Sequence, residues 1–181
     1  MKSIDVTGLR VDVEIMVSAS AAVVWDLLAD ITNVGQWSPE CLHTAWLADQ
    51  ELDAEENIRP GVRFSGRNRS LDGFEWGVTC EITEADRPRT FAWIVLDDSG
   101  EAQAVARPSS RWRYDLDPAP PGGTLVRHRF AHGPGDSGLR WMMRRNPDRA
   151  EEIIEGRRRQ LRRNMWHTLA AMKAVAEQTA P

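Results

Sequence analysis

At 181 residues and 20.4 kDa the chain has the size of one domain, and a globular chain this long buries roughly 70% of its unfolded surface, so it needs no disulfide or metal staple. Its 41% hydrophobic and 28% charged residues exclude a disordered or collagen-like chain. The net charge of -4 is uneven: residues 1–139 hold 13 Lys+Arg against 22 Asp+Glu, whereas residues 140–163 hold nine Arg against four acids.

In chain order, Leu9, Val11, Val13, Ile15 and Val17 alternate with Arg10, Asp12, Glu14 and Met16, the period-two pattern of a half-buried strand. Ser18 and Ser20 both offer N-caps for a helix to about Asp30, with Val24, Leu27 and Leu28 inward. A short helical turn over residues 31–37 ends at Ser38-Pro39. Strand patterns then cover residues 43–48, 62–70, 74–84, 90–96, 110–116 and 124–132. Between them lie the turn formers Arg59-Pro60-Gly61, Leu71-Asp72-Gly73, Asp97-Asp98-Ser99-Gly100 and residues 118–123. Connections this short join antiparallel neighbours, because a parallel crossover needs about a dozen residues or more.

The last element is a long helix. Asn146 offers an N-cap, Pro147 fits the first helical position, and Asp148, Glu151 and Glu152 suit the positive end of the dipole. Ile154, Leu161, Met165, Leu169, Met172 and Ala176 step along one face, and about 30 residues give roughly 45 Å, enough to cross a sheet. The expectation is an α+β fold: a seven-stranded antiparallel sheet with one apolar face, one or two short helices after the first strand, and a long C-terminal helix as cover.

Tryptophan is over-represented, eight against one Tyr and four Phe. The chain opens on alternation with no secretory signal and has no apolar run near 18 residues. Cys41 and Cys80 are too few for a disulfide framework. These features predict a cytoplasmic protein with reduced thiols, no integral membrane association and no structural metal.

The run Val17-Ser18-Ala19-Ser20-Ala21-Ala22-Val23-Val24-Trp25-Asp26-Leu27-Leu28-Ala29-Asp30, followed by Trp37-Ser38-Pro39-Glu40, resembles the opening of the START-like (SRPBCC) superfamily. The closest branch is the polyketide cyclase/dehydrase and lipid-transport family. Gly61-Val62-Arg63-Phe64, Asp86-Arg87-Pro88-Arg89-Thr90-Phe91-Ala92-Trp93 and the closing helix continue the likeness over nearly the whole chain, as one domain over residues 1–181. It departs at Ser20, where the family usually has proline. The resemblance implies a helix-grip fold whose curved sheet wraps the C-terminal helix and encloses a cavity for an apolar ligand; members range from carriers to cyclases. It brings over no catalytic positions.

Inward alternation selects Phe64, Asn68, Trp76, Trp93, Trp112, Tyr114, His128 and Phe130 as cavity lining, with Leu161 and Met165 facing them from the helix. Arg158, four beyond Ile154 and three before Leu161, is placed to reach inward. Gly156 weakens the helix by about 1 kcal/mol against Ala, for which close packing or ligand approach would be a reason. His128 and His132 are about 13 Å apart on one strand, too far to share a metal, and serve better as hydrogen-bonding groups in the cavity or at its mouth. Gly133-Pro134-Gly135-Asp136-Ser137-Gly138 spells G-x-G-x-x-G, yet a dinucleotide site needs a βαβ unit that this order of elements lacks, so no cofactor is expected. The arginine run 157–163 reads as a solvated helix face partly paired with Glu151, Glu152 and Glu155, and the pI near 5.6 argues against nucleic acid as partner.

The leading expectation is a protein that binds a small hydrophobic or aromatic ligand, a lipid or polyketide-like molecule, between sheet and terminal helix, with a homodimer allowed. The alternative is a polyketide-type aromatase/cyclase or dehydratase using Tyr114, His128 or Arg158 as acid, base or anion partner. A third is an interaction module whose arginine-rich face docks an acidic partner or membrane.

Overall fold

The structure, a computed structural model, describes residues 6–47, 58–96 and 105–179. The expected turn at 97–100 and the end of the expected strand at Ala48 lie outside the described residues.

β1 (Arg10–Val17) leads into α1 (Ala21–Ala29), and a single 3-10 turn connects it to the short α2 (Val34–Trp37). Of the two candidate caps, Ser20 is the one used: its hydroxyl accepts from the Val23 amide at 3.4 Å. Six strands follow: β2 (Cys41–Trp46), β3 (Arg63–Arg69), β4 (Glu75–Asp86), β5 (Thr90–Val95), β6 (Ser110–Ala119) and β7 (Gly123–His132). Then come α3 (Gly138–Arg145) and the 30-residue α4 (Ala150–Thr179). The seven strands form one antiparallel sheet in the order β1-β7-β6-β5-β4-β3-β2. Each new strand from β2 to β7 is added beside the last, and β1 closes the far side against β7.

The wet face carries a lattice of ion pairs. Arg113 binds Glu84 and Asp115, Arg129 reaches the same Asp115 at 3.0 Å, Arg127 binds Glu14 and Asp117, and Arg63 meets Glu81 at 2.8 Å. Arg113 and Glu84 flank Ala92 in register from the neighbouring strands, and Ala92 is buried on this outer side. The dry face packs on α4, whose Ile154, Leu161, Met165, Leu169, Met172 and Ala176 are all buried as their spacing predicts. Trp25, Leu28, Ile31 and Trp37 from the first helices complete the core. The Trp25 indole donates to the Thr90 carbonyl at 3.0 Å, and the Thr124 hydroxyl to the Ala19 carbonyl at 2.8 Å, pinning α1 to the sheet.

The closing segment differs from expectation at its helix start. Residues 133–137 form a loop, and at its end Ser137 caps a helix that the pattern did not show, α3, by accepting from the Arg140 amide at 3.2 Å. Asn146 is therefore the C-cap of α3, its side chain donating to the Met142 carbonyl at 2.9 Å, and makes no N-cap bond. Pro147 starts a 3-10 turn that leads into α4.

Candidate functional site

Side chains alternate along a strand, so every second residue of β5, β6 and β7 reaches the dry face. β5 supplies Phe91 and Trp93, β6 supplies Trp112 and Tyr114, and β7 supplies His128 and Phe130. Register sets their neighbours: Trp93 stands opposite Trp112, Trp112 opposite Phe130, and Tyr114 opposite His128. The result is a continuous aromatic ladder. Trp93 and Trp112 stack 6.0 Å apart and nearly parallel, at 5°. Trp112 meets Phe130 edge-on at 4.7 Å, and Tyr114 stacks on the His128 imidazole at 4.2 Å. Phe64 extends the ladder from β3, 6.5 Å from Trp93, and Trp46 of β2 follows at 6.0 Å. Trp25 and Phe91 close the other end at 6.3 Å.

Within this ladder Phe64, Tyr114, His128 and Phe130 are sealed, as are Leu161 and Met165 on α4, while Trp93 and Trp112 keep part of their surface open. The ladder's accessible surface is thus the parallel indoles of Trp93 and Trp112, with half-buried Trp46 at its end. Such a surface favours flat apolar molecules through offset stacking, worth about 0.5–1.5 kcal/mol beyond area burial per aromatic pair.

His128 is the polar anomaly. It is 4% exposed, and neither ring nitrogen has a hydrogen-bond partner. A buried donor or acceptor left unmade costs about 1–3 kcal/mol. Burial also pushes the imidazole down to about 3, so it is neutral at physiological pH, with one nitrogen donating and the other accepting. Burial likewise pushes the Tyr114 phenol above its ordinary value, keeping it protonated. His132 differs: its ring nitrogens are 2.8 Å from the Gly133 carbonyl and 2.9 Å from the Ser137 hydroxyl, a structural tie from β7 to α3.

The remaining residues selected from sequence lie elsewhere. Trp76 is half-buried and stacks on Phe74 at 6.1 Å, beside the turn between β3 and β4 where Leu71 and Phe74 are exposed. Asn68 is half-buried on β3, opposite Trp76 and Cys41. Arg158 does not reach inward; Glu155 engages it at 3.2 Å on α4's own surface. Its neighbour Arg157 turns inward, binding Glu40 at 2.9 Å with side chains only 26% and 13% exposed. Gln160 and Asn164 join this cluster, so Glu40 ties the start of β2 to α4. Spacing pointed to Arg158 and missed Arg157, which the distant Glu40 draws inward. Gly156 has no close-packing reason, since a Cβ there would meet nothing within 4 Å. Among the described residues no three His, Cys, Asp or Glu side chains gather to hold a metal ion, and no helix is long and apolar enough to cross a membrane.

An open antiparallel sheet gripping a long C-terminal helix over an aromatic interior defines a helix-grip fold. The family described as polyketide cyclase / dehydrase and lipid transport matches residues 8–177, and the chain belongs to it. Among solved structures, the chain is similar to a polyketide-cyclase-like protein of Corynebacterium glutamicum, with 28% identity over 93% of this chain and 91% of that one, at a TM-score of 0.62. Two more distant likenesses concern the fold. The Zhui aromatase/cyclase of a Streptomyces species has 17% identity, 93% coverage of both chains and a TM-score of 0.63. A START superfamily protein of Mycobacterium smegmatis has 15% identity, with 94% of this chain and 99% of that one covered, at a TM-score of 0.61. No curated protein matches the chain.

Proposed function

We propose that the protein binds an apolar, aromatic small molecule, polyketide-like or lipid, between the sheet and α4. The carrying observation is His128: a neutral, unpartnered imidazole set among rings, which a hydroxyl or carbonyl of a bound molecule would satisfy. Trp93 and Trp112 supply the stacking surface, and the sealed rings behind them hold those indoles in place.

The enzymatic alternative draws on relatives described as aromatase/cyclases. In such chemistry Tyr114, held protonated, would act as a hydrogen-bond donor or acid to a substrate oxygen. His128 suits the base role poorly, because a group held near 3 is a weak base at neutral pH. Arg158 is engaged by Glu155 and drops out as anion partner. The weak basicity of His128 and the engagement of Arg158 support the binding reading over turnover.

Native mass spectrometry of freshly purified protein, followed by titration with polyphenolic and fatty-acyl panels, tests the reading. The expected result is an adduct that is lost on unfolding and replaced by panel members, with affinity falling about tenfold in His128→Phe through loss of one hydrogen bond. Bare protein that takes up no panel member contradicts it. Turnover of a cyclisable substrate that is lost in Tyr114→Phe while binding persists would establish the alternative.

A further inference from the structure

The outer face of α4 carries a stripe the interior does not use. Arg159, Arg162, Arg163 and Trp166 recur at helical spacing, which places them side by side on the helix surface. All three arginines are exposed, and Trp166 is 51% exposed. The acids that the sequence sets nearby are taken by other arginines: Glu152 by Arg149 at 2.8 Å, Glu155 by Arg158 and Glu40 by Arg157. Among the described residues no ion pair reaches Arg159, Arg162 or Arg163. Like charges along one helix face repel each other, and an anion supplied from outside would relieve that repulsion.

A second feature sits on the same stripe. A cleft of about 410 Å³ opens between β1 and α4, lined by Asp12, Val13, Glu14, Arg127, Arg162 and Trp166. Its two acids are already engaged, Glu14 with Arg127 at 3.3 Å and Asp12 with Arg129 at 3.9 Å. Asp12 and Glu14 stay exposed beside their arginines on the β1 side of the cleft, and Arg162 with the Trp166 ring forms its α4 side. An arginine beside a half-exposed tryptophan matches the polar-apolar boundary of a bilayer, where the guanidinium meets headgroup phosphate and the indole lies at the depth of the glycerol backbone.

We infer that this face of α4 docks on an anionic phospholipid surface. The partner follows from charge complementarity and from the tryptophan. The arginines call for a dense array of phosphates, and Trp166 calls for an apolar layer directly beneath them, which a bilayer offers and a nucleic-acid backbone does not. The acidic remainder of the chain, with 22 Asp+Glu against 13 Lys+Arg over residues 1–139, is repelled from the same surface and so orients the molecule with α4 toward it. The inference rests in one respect on the binding function proposed above: an apolar cargo is concentrated in membranes, so a docked carrier meets it there.

Co-sedimentation with vesicles tests the docking without any cargo. Full-length protein is expected to bind vesicles of phosphatidylglycerol and phosphatidylcholine, to release as salt rises, and to ignore vesicles of phosphatidylcholine alone. The triple variant R159Q/R162Q/R163Q should lose on the order of a hundredfold in partitioning, at roughly fivefold per arginine. Trp166→Ala should weaken binding with the salt dependence unchanged, and Arg111→Gln, an exposed arginine on the sheet's outer face, should bind as the parent does. The inference is overturned by no binding to the anionic vesicles, by equal binding to both vesicle types, by an unaffected triple variant, or by a DNA or RNA oligonucleotide that displaces the vesicles. Small-molecule titration separates the two proposals: parent protein that binds cargo but no anionic vesicles sinks the docking alone, parent protein that binds vesicles but no cargo sinks the binding function alone, and the triple variant should keep its cargo binding.

Discussion

An imidazole buried among rings has a measurable consequence of its own. In the folded protein His128 titrates near 3, and in the unfolded chain near its ordinary 6.5. Above about pH 6.5 neither state binds the proton and the residue makes stability independent of pH. Below that the unfolded chain takes up a proton the folded protein refuses, so stability falls by about 1.4 kcal/mol per pH unit until about pH 3. Urea titrations at pH 7, 6, 5 and 4 should show this slope, and His128→Phe should flatten it while leaving the ligand-free protein no less stable at pH 7. An unchanged slope in the variant would assign the acid sensitivity to other groups. Alternation along β7 was enough to put His128 on the inner face. That its nitrogens have no partner, while those of His132 have two, depends on Ser137 and Gly133 folding back, which no periodicity encodes.

At the scale of elements, α4 was legible because 30 residues repeat one apolar stripe, and α3 was hidden because eight residues hold only two inward side chains, Leu139 and Met143. The glycine-rich sequence before α3 also reads as turn. Its first glycine has a packing reason, since a Cβ at Gly133 would collide with the Pro108 carbonyl oxygen. Gly156 has none within the protein, and its place in the middle of α4 weakens the helix. Gly156→Ala should therefore stabilise the protein by about 0.5–1 kcal/mol, raising Tm by about 2–4 °C in calorimetry. If the variant also binds ligand less well, the glycine is kept to let a ligand approach the helix.

The tie between elements is equally specific. Glu40 holds Arg157 and Asn164 across 117 and 124 residues of sequence, joining the start of β2 to α4. Glu40→Gln leaves a half-buried guanidinium without its counter-charge and should cost about 1–3 kcal/mol. Hydrogen exchange should quicken in the first half of α4 and leave the Met172–Ala176 end protected. Uniform loss of protection would show that the pair supports the whole fold instead of that one junction.

For the whole molecule, the seven antiparallel strands and the covering helix followed from alternation, short connections and one long amphipathic run, because each is a local pattern repeated many times. The site followed only in part. Phe64, Trp93, Trp112, Tyr114, His128 and Phe130 converge because register aligns their strands, and Phe91, Trp25 and Trp46 join them through packing between elements far apart in sequence. Trp76 shares their alternation but sits nearer the β3–β4 turn, so parity placed it on the right face without placing it in the ladder.

The central claim is that a ligand lies against the parallel indoles of Trp93 and Trp112. Tryptophan fluorescence under titration with planar aromatic ligands measures this directly, in the parent and in W93F/W112F. The parent should be quenched in a saturable way, and the double variant should lose that quench while its other tryptophans still emit. A quench that survives in the double variant would place the ligand elsewhere, and a parent that no ligand quenches would make the ladder packing alone.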